Sequence, residues 1–127
     1  MSKSKIKSRV TFLLFLIVSD TINNMLTQEK ITEITEYIKQ KINPSMLYLF
    51  GSYIYGSPNE NSDLDILVVK KKIENKREEL VSLIKNLASK DYSLDIMLYT
   101  EKEFNKNKKE GWKIFDEITT KGIKIIC

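Results

Sequence analysis

Residues 49–69 read LFGSYIYGSPNENSDLDILVV, a segment that is apolar at both ends and polar in its middle. The two apolar runs are short and nearly continuous, as is typical of strands buried on both faces, and they predict strands over 46–50 and 63–69. Gly51-Ser52 ends the first run, and 53–56 can form one helical turn before residues typical of a loop. The segment therefore predicts two core strands joined through a glycine-containing turn.

Helical periodicity precedes this segment. From Thr27 onward isoleucines recur at three- and four-residue steps, which predicts an amphipathic helix. Asn43-Pro44 ends the helix, because proline lacks a backbone donor and disfavours helix in the residue before it. The predicted buried stripe consists of Ile31, Ile34, Ile38 and Ile42.

Helical and extended patterns alternate after the segment. Residues 74–89 predict a helix, and 93–99 predict a strand with Asp95 and Met97 on one side. The buried positions expected on the helix are Leu80, Leu83, Ile84 and Leu87.

The C-terminal part is predicted to be helical and then extended. Thr100 and Glu103 fit a capping box, Gly111 interrupts the helical pattern, and a final strand is expected at Ile123–Ile126. Trp112 is expected in the core. The order of elements predicts a single α/β (α+β) domain over residues 25–127.

The composition limits the catalytic groups and metal ligands that the chain can provide. The chain has 127 residues, no histidine and one cysteine, Cys127, which excludes histidine-dependent nucleophile systems, histidine-bearing zinc sites and a disulfide framework. The remaining options for catalysis are carboxylate, hydroxyl and lysine chemistry with a hard cation.

The net charge of +4 is concentrated at the N-terminus, where residues 1–24 carry +3. This basic start runs into nine mostly apolar residues, 10–18, too few to span a bilayer and without a following cleavage pattern. We expect 1–24 to be an upstream extension before a natural start at Met25, the alternative being a helix packed on the body. We also expect a cytoplasmic protein that does not bind a membrane; the sequence makes no strong case for nucleic-acid binding, which stays a weaker alternative.

Acidic residues mark the predicted strands. Asp63 and Asp65 are two residues apart in one strand, and Asp95 lies near the beginning of the next. If the strands pair in register, three carboxylates converge, and such repulsion requires cations. Oxygen-only ligands favour magnesium or manganese, although an Asp-x-Asp pair alone could equally be a solvated strand end.

Gly51 and Ser52 stand at the end of the preceding strand. A glycine allows a ligand to approach the backbone closely, and the serine hydroxyl and helix start could receive a phosphate. Together with the acids, these residues indicate phosphoryl transfer assisted by two cations.

The pattern Gly51-Ser52, ten residues, then Asp63-x-Asp65, with Asp95 in the following strand, resembles the signature of the nucleotidyltransferase superfamily typified by DNA polymerase beta. The order of elements over 27–127 is similar to that of the minimal nucleotidyltransferases, which act as antitoxins to HEPN-domain ribonuclease toxins. This resemblance implies a small mixed sheet flanked by helices.

The resemblance also implies roles for these residues. Asp63 and Asp65 would bind both of two Mg²⁺ ions, and Asp95 would bind the catalytic ion and help to deprotonate the attacking hydroxyl. Gly51 and Ser52 would hold the triphosphate of ATP. The antitoxin branch commonly reads Gly-Ser-x-Ala-Arg-Gly, whereas this chain has Tyr55 in place of the arginine.

Three other groups of residues could contribute near the site. Lys70, Lys71 or Lys72 could supply the missing positive charge, and Tyr53 and Tyr55 could line the site or stack on a base. The lysines of 102–113 alternate with acids, as on a solvated helix face.

Larger relatives bind the acceptor with a separate domain, whereas this sequence predicts one domain only. We therefore expect the acceptor, or the surface that binds it, to belong to another protein. We expect transfer of AMP to a hydroxyl, plausibly of tyrosine, on a HEPN-type toxin that forms a hetero-oligomer with this chain. The alternatives are a small-molecule adenylyltransferase similar to aminoglycoside-resistance enzymes, or an antitoxin that acts by binding alone.

Overall fold

A four-stranded sheet lies at the centre of the computed structural model, which describes residues 26–59, 61–88 and 93–127. The strand order is β3-β2-β1-β4; β1 is antiparallel to both of its neighbours, and β2 is parallel to β3. The sheet is therefore mixed, as expected. The strands are β1 (Met46–Phe50), β2 (Leu64–Lys70), β3 (Leu94–Thr100) and β4 (Ile123–Ile126).

Helices cover both faces of the sheet. The single turn α2 follows β1, and α3 joins the parallel strands β2 and β3. The helices are α1 (Gln28–Ile42), α2 (Ser52–Tyr55), α3 (Lys76–Ala88), α4 (Glu101–Lys109) and α5 (Lys113–Lys121). This element order confirms the predicted one, including the interruption at Gly111.

Side-chain alternation divides the core in two. On one face, Leu47, Ile66 and Ile96 belong to a cluster that α1 and α3 cover with Ile34 and Leu83. Because the two central strands, β1 and β2, are buried on both faces, their sequences are nearly continuous in apolar residues.

The opposite face carries a smaller, mainly aromatic cluster. Here Tyr48 and Leu67 pack beneath α4 and α5, which contribute Phe104 and Phe115. Tyr48 stacks on Phe104 with 5.8 Å between ring centroids. Asp65 and Asp95 alternate onto this second face, where Asp65 is opposite Phe50, the member of the aromatic cluster that ends β1.

Local sequence chemistry sets the helix ends. The Thr27 hydroxyl accepts a hydrogen bond from the backbone N–H of Lys30, and α1 ends where Asn43 adopts a left-handed conformation with φ of 48°. The predicted capping box of Thr100 and Glu103 is present at the start of α4, with both reciprocal hydrogen bonds.

Two predicted core residues are exposed. Ile84 is 39% exposed because α3 turns Leu83 and Leu87 toward the sheet, which leaves Ile84 on its flank. Trp112 is 47% exposed because it precedes α5 and packs edge-on against the outer side of Phe115. Both core assignments were wrong, since periodicity predicts which side of a helix is apolar but not how far the neighbouring elements cover it.

The predicted extension 1–24 and Met25 lie outside the described residues. Within the described ranges, no helix combines the length and the apolar character that crossing a membrane requires.

Candidate active site

Two of the predicted acids are direct neighbours across parallel strands. Asp65 of β2 is in register with Asp95 of β3, and on its other side Asp65 is opposite Phe50, the last residue of β1. Residues paired in this way project from the same face of a sheet. The expected in-register pairing of these acids is therefore confirmed.

Asp63 reaches the same end of the sheet from the residues that precede β2. Its Oδ1 accepts a hydrogen bond from the hydroxyl of Ser93, the residue before β3. The backbone N–H of Leu64 donates to the carbonyl of Ser93 at 3.0 Å, so the starts of the two parallel strands are joined twice.

The other two carboxylates act electrostatically on Asp65. The pKa of Asp65 is raised from its ordinary value of 3.8 to about 6, mainly by burial and then by the negative charges of Asp95 and Asp63. A cation at this point would relieve the repulsion, and perturbed carboxylates of this kind are concentrated at functional sites.

Gly51 brings the end of β1 against Asp65. Its φ of +85° and ψ of −164° lie in a region that is open almost only to glycine. A β-carbon at position 51 would overlap the Asp65 Oδ2 atom and lie 2.8 Å from its Cγ. The backbone here can approach the carboxylate only because residue 51 has no side chain.

Ser52 begins α2 immediately after this contact. Its hydroxyl makes no hydrogen bond with any residue in the described part of the chain. Because α2 has only four residues, its dipole is small. A phosphate role for this segment therefore depends on the serine hydroxyl and on close backbone approach.

A surface cavity of about 520 Å³ opens beside Gly51, Ser52 and Asp65. Residues of the α2 turn and of α5 both line this cavity. The remaining lining residues are Phe50, Tyr55, Gly56, Lys113, Ile114 and Glu117. The cavity thus combines a glycine-serine turn, a carboxylate with a raised pKa and a basic side chain.

Sequence comparison accords with this geometry. Residues 32–127 match the family model described as Polymerase beta, Nucleotidyltransferase. The chain belongs to this family. Nucleotidyltransferases of this family use a nucleoside triphosphate and divalent cations. A search of curated protein sequences returns no significant match.

Two solved structures resemble this nucleotidyltransferase. One, described as "putative nucleotidyltransferase", is 25% identical with a TM-score of 0.45, and the match covers 63% of this chain and 88% of the other. The second, described in the same words and from Sulfolobus solfataricus, is 21% identical with a TM-score of 0.47, with coverage of 97% and 85%.

The two tyrosines near the nucleotidyltransferase signature have different positions. Tyr53 is buried in the core, and its hydroxyl accepts a hydrogen bond from the backbone N–H of Leu26 at 3.1 Å. Its suggested role in the site was therefore wrong. Tyr55 lines the cavity and donates a hydrogen bond to Glu117 Oε1 at 3.1 Å. Burial raises the pKa of Tyr55, as do the hydrogen bond to Glu117 and the charges of Glu117 and Asp65, while a hydrogen bond with the Gly51 backbone opposes the increase.

The lysines after β2 do not supply positive charge to the site. Lys70 is at the opposite end of β2 from Asp65, where its Nζ pairs with Glu79 Oε1 at 2.5 Å. Lys72 pairs with Glu74 at 3.2 Å. The suggestion that Lys70, Lys71 or Lys72 replaces the missing arginine was wrong, because Asp65 is near the start of the seven-residue strand β2, whereas Lys70 ends this strand and Lys71 and Lys72 follow it.

Lys113 lines the cavity. The sequence pattern had predicted a solvated helix face for this residue. It is the first residue of α5, and Glu117 and Lys121 follow at four-residue steps on the same side of that helix. The spacing defines this face, but only the packing of α5 shows that it borders the cavity.

The donor chemistry of this nucleotidyltransferase fits a hard divalent cation. Carboxylate oxygens are the ligands that Mg²⁺ and Mn²⁺ prefer, and Asp63, Asp65 and Asp95 provide oxygen atoms alone. As the side chains stand, the described residues contain no group of three acidic, histidine or cysteine side chains closed around one point. The metal-binding roles of the three acids stay predictions.

Proposed function

We propose that this nucleotidyltransferase transfers AMP from ATP to a hydroxyl group, that of a tyrosine, on a HEPN-domain ribonuclease toxin and so acts as its antitoxin. The observation that carries this proposal is the register of Asp65 with Asp95 beside Gly51. The toxin as partner is supported by the resemblance to the minimal nucleotidyltransferases.

The proposed reaction joins the acceptor oxygen to the α-phosphorus of ATP. The bond between the α-phosphorus and the oxygen that bridges to the β-phosphate breaks, and pyrophosphate leaves. Asp95 takes the hydroxyl proton; it is exposed, and it accepts no hydrogen bond from the described residues. Asp65 lines the cavity, where the absence of a side chain at Gly51 leaves room for its carboxylate. Bound Mg²⁺ would neutralise phosphate charge and stabilise the attacking and leaving oxygens.

The surroundings of the cavity support a protein as acceptor. Tyr55, Ile114 and Trp112 are large apolar side chains that are 38%, 44% and 47% exposed. Tyr55 and Ile114 line the cavity, and Trp112 immediately precedes Lys113, another lining residue. Exposed aromatic residues of this kind are enriched where proteins bind other proteins.

The test is to incubate the full chain with ATP, Mg²⁺ and the product of the neighbouring gene, which the proposal expects to be a HEPN-domain protein. Mass spectrometry should detect one added adenylyl group, on a tyrosine of the partner. The Asp95→Asn variant should transfer no AMP, because it loses the proposed proton acceptor and one carboxylate of the proposed metal site, and it should still bind ATP through the residues that remain.

Other outcomes would contradict the proposal and favour an alternative. No adduct on the partner, together with full protection of cells by an Asp63→Ala, Asp65→Ala double variant, would show an antitoxin that acts by binding. Adenylylation of an aminoglycoside in place of the protein would show a small-molecule adenylyltransferase.

A further inference from the structure

The cavity wall formed by α5 presents a lysine to the residues of the nucleotidyltransferase signature. Lys113 lines the same cavity as Gly51, Ser52 and Asp65. It is exposed, and it forms no ion pair with a carboxylate elsewhere in the described ranges. Its ammonium group is therefore available to a ligand in the cavity.

The position of Lys113 is held by contacts further along α5. Glu117, one turn later, accepts the hydrogen bond from the Tyr55 hydroxyl. Lys121, a further turn on, places its Nζ 5.8 Å from the centre of the Tyr55 ring. The buried side chain of Phe115 anchors the same helix in the aromatic cluster. These contacts hold α5 beside the α2 turn.

Helix stability does not explain a lysine at this position. Lys113 is the first residue of α5, and a cation in the first turn of a helix interacts unfavourably with the helix dipole. An acidic or neutral residue would suit the helix better. The charge is more consistent with a role toward an anionic ligand.

We propose that Lys113 binds the phosphate tail of the nucleotide. This inference rests on the proposed function, because it takes a nucleoside triphosphate as the ligand. The cavity holds the carboxylates of Asp65 and Glu117, so a polyphosphate entering it requires compensating positive charge. Tyr55 stands where the resembling proteins commonly have an arginine, and Lys113 supplies a cation from a different helix.

The test measures binding of ATP and of AMP, each with Mg²⁺, by isothermal titration calorimetry. Lys113→Ala should weaken ATP binding roughly 10- to 100-fold, as expected for the loss of a charge-assisted hydrogen bond, and should leave AMP binding within about 2-fold. Lys113→Arg should restore ATP binding. Lys109→Ala is the matched control, because Lys109 is also exposed and lies at the end of α4 without lining the cavity.

The outcomes separate this inference from the proposed function. If the wild-type chain binds ATP and Lys113→Ala binds it as tightly as Lys109→Ala, the role of Lys113 is overturned while the proposed function stands. Equal weakening of ATP and AMP would also overturn it, because the lysine would not act on the phosphate tail. If the wild-type chain binds no ATP, both fall together.

Discussion

The carboxylate of Asp65 occupies the space that a side chain at Gly51 would fill. A β-carbon built on Gly51 overlaps Asp65 Oδ2 and lies 3.2 Å from Asp65 Cβ. The last residue of β1 before this glycine, Phe50, is in register with Asp65. The glycine and the acid of the nucleotidyltransferase signature, fourteen residues apart, are therefore parts of one packed contact.

Gly51→Ala should abolish nucleotidyl transfer and destabilise the fold by about 2–3 kcal/mol. The alanine would be strained at a φ of +85°, and its methyl group would displace the Asp65 carboxylate. Activity with ATP and Mg²⁺, together with urea denaturation, measures both effects.

Gly111→Ala is the control that separates backbone strain at a positive φ from steric overlap with the Asp65 carboxylate. Gly111 also has a positive φ, +77°, but a β-carbon there would meet nothing within 4 Å. We expect a loss of stability of about 1 kcal/mol with transfer activity retained. Equal activity of the two alanine variants would contradict a role for the contact between Gly51 and Asp65.

Asp65→Asn should stabilise the metal-free protein at pH 8 and not at pH 4. The folded protein raises the pKa of Asp65 to about 6, so it binds this proton more tightly than the unfolded chain does. The stability that the proton contributes is complete below about pH 4 and is lost as the pH rises through 6. Asparagine is neutral throughout and avoids the loss.

At pH 8 we expect Asp65→Asn to increase the free energy of unfolding by about 1 kcal/mol. This is less than the pKa shift alone would give, because the Asp65 side chain is partly exposed and water screens its charge. Urea denaturation in the presence of a chelator measures it at each pH. A gain of the same size at pH 4 would mean that side-chain packing, and not charge, is responsible.

Asp95→Asn should lower the pKa of Asp65. The charge of Asp95 is the second largest cause of the raised value, after burial, so its removal leaves burial and Asp63 to act. Carbon-13 NMR titration of the Asp65 carboxyl group reads the change. Asp116→Asn removes an exposed acid of α5 that does not act on Asp65 and should leave the titration curve in place.

Glu79→Gln should destabilise the protein by about 1 kcal/mol at pH 7. In the ion pair with Lys70, the Glu79 side chain is only 20% exposed and the Lys70 side chain only 17%. The second carboxylate oxygen of Glu79, Oε2, accepts a 3.0 Å hydrogen bond from the backbone N–H of Glu74. The bond with Lys70 lowers the pKa of Glu79, so its contribution is present above the ordinary value of 4.5 and is lost in more acidic solution.

Glu74→Gln is the matched comparison for this ion pair. Glu74 pairs with Lys72, and both side chains are 80% exposed, so solvent screens the interaction. Thermal or urea denaturation should show almost no change for Glu74→Gln. A comparable loss in both variants would indicate a general charge effect and not the Lys70–Glu79 contact.

Trp112→Ser should reduce AMP transfer to a protein acceptor about 10-fold while leaving ATP binding unchanged. Trp112 is exposed beside the cavity but does not line it, so its loss removes acceptor contacts only. Val81→Ser is the control, since Val81 is also exposed but lies on α3, away from the cavity. Weaker ATP binding by the Trp112 variant would contradict this division of roles.

Much of the fold was predictable because it follows from short-range patterns. The stripe of Ile31, Ile34 and Ile38, the capping box at Thr100 and the apolar runs of β1 and β2 each depend on residues close together in the chain. The exposed positions of Ile84 and Trp112 were not predictable, because they depend on how wide an area the neighbouring elements cover.

Residue type and spacing were enough to select the acids, the glycine-serine turn and the family. The sequence left open which side chains share a cavity, because that depends on elements distant in the chain packing together. The parallel register placed Asp95 beside Asp65, and the packing of α5 brought Lys113 to the cavity. The tertiary structure also excluded Tyr53, since its ring is buried in the core, and Lys70, since β2 carries it to the far end of the sheet.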